Sequence, residues 1–157
     1  MAQGSSTDRV WAEGSARLVQ TEGCFYNPKQ LLQRDLSLLA VRAFARREAS
    51  QSDGQRQRGM VLLDSMCGTG VRAIRYAREA AEGLALVLAN DACSSAAAAA
   101  RSNGRASGLP AGMLGSVDET VAELGRSQPT LHQMPPIARL LALSMDACHL
   151  MEQLPAR

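Results

Sequence analysis

The 157-residue sequence predicts an α/β chain, the β-α-β-α-β half of a Rossmann-like fold preceded by an N-terminal helical segment. Two observations carry that reading. After residue 60, short apolar runs alternate with segments of helical period, the order that builds a parallel sheet with helical crossovers. One of those runs ends at an acid and passes through a glycine-bearing loop directly into a helix, in "VLLDSMCGTGVRAIRYA", Val61 to Ala77. Ligands of such sheets bind beyond the carboxyl ends of the strands.

Taken in order, residues 1–10 are small and polar, and "WAEGSARLVQ" alternates weakly, as a short strand would. In "CFYNPKQLLQRDLSLLAVRAFARREAS", Asn27 suits a helix cap and Pro28 the first helical position, where its missing N–H is harmless. Leu32, Leu36, Leu39 and Ala43 recur at helical spacing, with Leu31, Leu38 and Val41 widening the stripe. A helix from Pro28 to Arg47 is expected to turn that face inward. "SQSDGQRQRG" has the composition of a linker. Met60–Leu63 is too short for a helix and reads as a buried strand. Val71–Glu82 reads as a helix with Val71, Ile74 and Ala77 inward and Arg72, Arg75, Arg78 and Glu79 outward. Leu84–Ala89 is a second strand. "ACSSAAAAARSNGR" is a helix by alanine content, stopped by Gly108 and Pro110. Residues 111–136 carry little pattern beyond a short helix at Val117–Leu124 and the breaker "MPP"; "IARLLALS" resembles a third strand and "ACHLMEQL" a final helix. The expected division is an N-terminal arm and helix over 1–57 and an incomplete Rossmann-like cofactor-binding domain over 58–157.

Composition narrows the classes. Hydrophobic content of 46% supports a buried core, and aromatics at 3% leave Leu, Ala, Val and Met to build it. A net charge of +2 argues neither for nor against nucleic acid, although residues 1–60 lean positive, with nine basic groups to six acidic. That lean reads as solvated surface or as RNA contact. Cys24, Cys67, Cys93 and Cys148 are scattered without metal-ligand spacing, which predicts reduced thiols, no metal and an intracellular setting, nucleus or cytoplasm. No run approaches the ~20 apolar residues of a membrane helix.

Three acids follow apolar runs, Asp64, Asp91 and Asp146, and each is expected to point into one crevice. Between them Gly68 and Gly70 permit a tight turn and close approach of a ligand, one glycine short of the dinucleotide fingerprint. Asp91 lies 23 positions after Gly68 (91 − 68), the separation of an acid that accepts ribose hydroxyls. Its alternative role is a helix cap. Arg72 stands on the first helical turn, where a cation is unfavourable without an anionic partner. A bound carboxylate would supply one, so a cofactor with a ribose and a carboxylate, S-adenosyl-L-methionine, fits better than a dinucleotide; plain surface charge is the other reading.

With these residues in view the chain resembles the tRNA (guanine-N2-)-dimethyltransferase family, in its N-terminal part. The likeness runs through "EGSARLV", "CFYNPKQLLQRDLSLLAVRAF", "LLDSMCGTGVRAIRYA", "LVLANDACSSAA" and "LSMDA". The "FYNP…RDLS" segment is far more family-specific than the glycine loop. The resemblance implies a methyltransferase fold, methyl transfer from S-adenosyl-L-methionine to guanine N2 at tRNA position 26, and tRNA as partner. It places cofactor contacts on Arg34, Arg72, Asp91, Asp146 and Ala147, with Arg34 and Arg72 at the methionine carboxylate, Asp91 at the ribose and Asp146 at the adenine. Phe25 and Tyr26 match the aromatic pair beside the methyl-transfer pocket. From the residues alone, Arg34 reads as a neighbour of Asp35 on a solvated helix face.

The family's Asp-Pro-aromatic-Gly motif has no counterpart here, since no Asp-Pro dipeptide occurs in the sequence. The expectation is a truncated chain that carries the cofactor half of the site without its catalytic clamp or C-terminal domain, inactive alone. Its first sheet strand would then have an unpaired edge open to self-association. The alternative is a non-catalytic module that binds S-adenosyl-L-methionine or RNA.

Overall fold

The computed structural model describes residues 10–19, 25–51, 59–110 and 139–144. The expected helices at Val117–Leu124 and "ACHLMEQL", and residues Asp146 and Ala147, lie outside them.

An antiparallel hairpin, β1 (Val10–Glu13) and β2 (Ala16–Val19), replaces the single strand expected of "WAEGSARLVQ". Its register sets Trp11 against Leu18 and Glu13 against Ala16, so an acid shares a face with apolar side chains. The outer edge of β2 is not left bare. The Arg17 N–H donates to Ser107 Oγ (2.8 Å) and the Val19 N–H to Asn103 Oδ1 (2.8 Å). Side chains of a helix thus stand in for a further strand, and an open edge is avoided.

Asn27 and Pro28 act as their types require. Asn27 Oδ1 accepts the Lys29 N–H (3.0 Å), a 3₁₀ turn spans Pro28–Gln30, and α1 continues over Leu31–Gln51. The inward face of α1 corrects the reading from sequence. Buried or half-buried are Arg34, Leu38, Val41 and Ala45, whereas Leu32, Leu36 and Leu39 are 68%, 57% and 58% exposed. At 3.6 residues per turn those two rows lie on opposite sides of the helix. α1 is apolar on both, and the row that enters the core is the one that carries a charge.

β3 (Met60–Asp64), β4 (Leu84–Asp91) and β5 (Arg139–Ser144) form a parallel sheet in the order β3-β4-β5. α2 (Val71–Glu79) and α3 (Ser94–Ala106) connect the strands, with α3 followed by a longer passage to β5. This is the β-α-β-α-β half of a Rossmann-like fold. β4 is buried at Leu84 and again from Leu86 through Asn90, the run expected of a central parallel strand covered on both faces. Ile74 and Ala77 of α2 and Ala97 and Ala100 of α3 are fully buried, so the alanine-rich stretch is a close-packing helix. Among the described residues no helix is long and apolar enough to cross a membrane.

A second correction concerns Arg75, expected outward and found buried. Its guanidinium meets Glu13 (2.9 Å), Asp35 (2.7 Å) and Glu79 (3.1 Å). Glu79 Oε1 also accepts the backbone N–H and the hydroxyl of Ser15 in the hairpin turn (2.8 and 2.9 Å). Charge can be buried when it is paired in this way, and apolar periodicity carries no sign of it.

Burial on its own raises the Glu79 carboxyl, but hydrogen bonds from Arg75 and Ser15 outweigh it and hold the group below its ordinary 4.5. A folded-state pKa below the unfolded one contributes stability above the unfolded value and loses it as pH falls through the folded one. Thermal melts of the wild type and Glu79→Gln should therefore differ most near neutral pH and converge as the pH falls below about 4. A gap that stays constant across that range would contradict the assignment.

Candidate functional site

The carboxyl end of β3 delivers Asp64, and the chain then turns through Ser65–Gly70 into α2. Backbone bonds fasten that loop to β4: the Cys67 N–H donates to the Asn90 carbonyl (2.8 Å), and the Gly70 N–H closes on the Cys67 carbonyl (2.8 Å). Asp91 completes the tie. Its Oδ2 accepts the Gly68 N–H (2.9 Å) and its Oδ1 the Cys93 N–H (3.0 Å), so one carboxylate joins the glycine loop to the approach of α3. Each oxygen keeps a second lone pair.

The two loop glycines have different reasons to be glycine. Gly70 has φ +77°, and a Cβ there would stand 2.7 Å from Ala100 Cβ, because the loop packs directly on α3. Gly68 has φ +52°, but its Cβ would meet nothing nearer than the Phe25 carbonyl at 3.9 Å. It faces open space, and that space is the cleft.

The cleft has a volume of about 360 Å³, and Phe25, Tyr26, Arg34, Met66, Gly68 and Arg72 are among its lining residues. That size suits a small-molecule site. Phe25 and Met66 are highly exposed, which puts them at its rim. Arg34 is 7% exposed, with its Nε–H donating to both oxygens of Glu13 (2.8 and 2.9 Å) and a terminal N–H to the Asn27 carbonyl (3.0 Å). The Tyr26 ring lies beneath it, 5.1 Å from the guanidinium carbon, and the Tyr26 hydroxyl donates to Glu13 (2.9 Å). Arg72 reaches back to Asp64 Oδ1 (2.7 Å). Asp64 is buried and its Oδ2 has no hydrogen-bond partner among the described residues; burial raises its carboxyl above the ordinary value while Arg72 opposes the rise.

Of the residues singled out in the sequence, the structure gathers Phe25, Tyr26, Arg34, Gly68 and Arg72 around this cleft. Asp64 joins it through Arg72, Asp91 holds its loop, and Gly70 turns toward α3. The anionic partner that the helix position of Arg72 demanded is Asp64. Arg34 is not on a solvated face beside Asp35 but in the core. The residue missed was Glu13. Its only signal in the sequence is an acid at the inward phase of an alternating stretch.

The family model for N2,N2-dimethylguanosine tRNA methyltransferase matches residues 4–127. The chain belongs to that family. It is 40% identical over 88 residues to a tRNA (guanine(26)-N(2))-dimethyltransferase of Aeropyrum pernix, covering 56% of this chain and 20% of the relative. To the enzyme of the same name from Drosophila melanogaster it is 29% identical over 128 residues, covering 61% and 22%. A complex structure of Trm1 from Pyrococcus horikoshii with S-adenosyl-L-methionine is 23% identical, with a TM-score of 0.48, covering 63% of this chain and 24% of that one. The chain thus spans about a fifth of the length of these dimethyltransferases.

The glycine geometry makes a stability prediction for this family member. Gly70→Ala meets both a left-handed backbone and Ala100, and should cost about 2–4 kcal/mol in denaturant unfolding. Gly68→Ala, strained in φ but unobstructed, should cost only that left-handed strain, about 1–2 kcal/mol. Equal costs at the two positions would show that Gly70 is not packed on α3.

Proposed function

We propose that this chain supplies the S-adenosyl-L-methionine-binding part of a tRNA (guanine(26)-N2)-dimethyltransferase, with tRNA as its partner and the nucleus or cytoplasm as its setting. The observation that carries the reading is the convergence of Gly68, Arg34 and Arg72 on one cleft in a member of this family. The residues fit the cofactor chemically. Arg34 and Arg72 offer guanidiniums to a carboxylate, and Gly68 leaves space where any side chain would project. Asp91 has lone pairs left for ribose hydroxyls, and Asp64 Oδ2 is a buried acceptor in want of a donor. From the resemblance we add Asp146, at the adenine, and Ala147 as cofactor contacts, with Phe25 and Tyr26 beside the place of methyl transfer.

The bound cofactor supplies an electrophilic methyl group. What these residues contribute is its binding and orientation. Transfer also requires the guanine amine to be held against that methyl group, and such positioning dominates the rate. The Asp-Pro-aromatic-Gly clamp that the resemblance assigns to this task does not occur among these 157 residues, so we assign them binding without turnover. Calorimetric titration should give saturable heat with S-adenosyl-L-methionine, and Asp91→Ala should weaken it by about tenfold or more. Equal heats from wild type and variant would remove Asp91 from the site, and tRNA methylation by the isolated chain would overturn the assignment of binding alone.

A second reading, an interaction module that self-associates, is favoured by two features. Among the described residues β3 pairs with β4 alone, and the exposed Leu32, Leu36 and Leu39 of α1 add apolar surface. Light scattering on the isolated chain should give a mass above 16.7 kDa that returns to the monomer value in Leu36→Glu/Leu39→Glu. A monomer at all concentrations would dismiss this reading.

A further inference from the structure

Glu13 stands apart from every residue so far assigned to the site. It does not line the cleft, it is 3% exposed, and it belongs to the N-terminal hairpin rather than to the sheet. Yet two of the residues that line the cleft, Arg34 and Tyr26, are fastened to it. We propose that Glu13 is a positioning residue for cofactor binding, which sets the Arg34 guanidinium to receive the amino-acid carboxylate of S-adenosyl-L-methionine. This rests on the cofactor reading above.

The hydrogen bonds define the role. Glu13 Oε1 accepts from Arg34 Nε (2.8 Å) and Arg75 (2.9 Å), while Oε2 accepts from Arg34 Nε (2.9 Å), an Arg34 terminal N–H and the Tyr26 hydroxyl (2.9 Å). A carboxylate offers about four lone-pair sites. Glu13 therefore has no capacity left for a ligand, and its effect must pass through the groups it holds. Arg34 does have capacity. A guanidinium carries five N–H groups; Glu13 takes the one on Nε and one terminal N–H, and the Asn27 carbonyl takes another. The remainder is one N–H on each terminal nitrogen, free to donate to a carboxylate.

Without Glu13, a long side chain with several free torsions would have to be ordered by the ligand itself, at the ligand's expense in affinity. Arg75 makes the same carboxylate a fixed point. It holds Glu13 from α2 and is itself held by Glu79 and Asp35, so hairpin, α1 and α2 must all be in place for Arg34 to be aimed. The hairpin is in this sense part of the cofactor site.

The test is calorimetric titration of wild type and Glu13→Gln with two ligands, S-adenosyl-L-methionine and 5′-methylthioadenosine, which keeps the adenosine and methylthio groups but lacks the amino-acid end. Circular dichroism reports the fold alongside. The substitution should weaken S-adenosyl-L-methionine by about tenfold or more and leave methylthioadenosine within about twofold. An equal loss for both ligands would mean a structural role only, and unchanged or tighter S-adenosyl-L-methionine binding would mean no positioning or a competing carboxylate; each overturns the proposal while the cofactor reading stands. Failure of the wild type to bind S-adenosyl-L-methionine overturns both. If Glu13→Gln does not fold, Glu13→Asp keeps the charge but withdraws it from Arg34, and the same selectivity between the two ligands decides.

Discussion

The constraint on which most of this architecture depends is a buried carboxylate shared by two guanidiniums. Glu13 comes from the hairpin, Arg34 from α1 and Arg75 from α2; among the described residues Glu13 is the one acid paired with Arg34, and it joins Asp35 and Glu79 in neutralising Arg75. Taking such charges out of water costs several kcal/mol each, and only close pairing offsets it. Removing one partner from a buried pair typically costs about 3–5 kcal/mol, a large share of the roughly 5–15 kcal/mol that stabilises a domain. The cluster thus does what three separate apolar contacts could not. It fixes the hairpin, α1 and α2 in one relative arrangement, because a carboxylate must meet its donors at set distances and angles while apolar surfaces can slide. Burial alone raises the Glu13 carboxyl, yet the bonds from Arg34, Tyr26 and Arg75 hold it below its ordinary value, so the group is ionised where the fold needs it ionised.

The strand ends repeat that logic at smaller scale. Asp91 spends one lone pair on the glycine loop and one on the turn before α3, and this holds the Gly68 N–H and the loop around it in one conformation. Asp64 holds Arg72 at the mouth of the same loop. The helix-cap role weighed for Asp91 is not the one it takes, since α3 starts at Ser94 with Cys93 as its cap residue and no side-chain cap bond; Asp91 accepts the Cys93 N–H instead and keeps lone pairs for a ligand. A site whose acids are already tied to backbone N–H groups and arginines needs little reordering to receive a ligand, and that is where affinity is gained.

What the sequence made legible is what local chemistry determines. The Asn27–Pro28 helix start, the short apolar strands, the glycine loop and the alanine helix each depend on residues a few positions apart, and all are found close to where expected. The errors have a common cause. Periodicity treats every arginine as a surface residue, and so points Arg75 outward and turns the leucine row of α1 inward, the reverse of what is found. The partner that admits them, Glu13, lies 62 positions from Arg75 and 21 from Arg34. No window of a few turns can hold such a pair. The second strand of the hairpin escapes periodicity for a simpler reason, since each strand is only four residues long and Gly14–Ser15 breaks the alternation between them.

The leucine stripe of α1 was nonetheless a real signal. Leu32, Leu36 and Leu39 do share a face, and that face is apolar; it is simply not the face turned to the described core. A helix with apolar rows on both sides is suited to lie between two layers rather than to bound one. α1 packs on α2, and α2 in turn on α3 and β4. Among the described residues β3 pairs with β4 alone, and the outer leucine row of α1 is exposed. Two independent features, one of side chains and one of backbone, thus present surface whose chemistry is that of an interior.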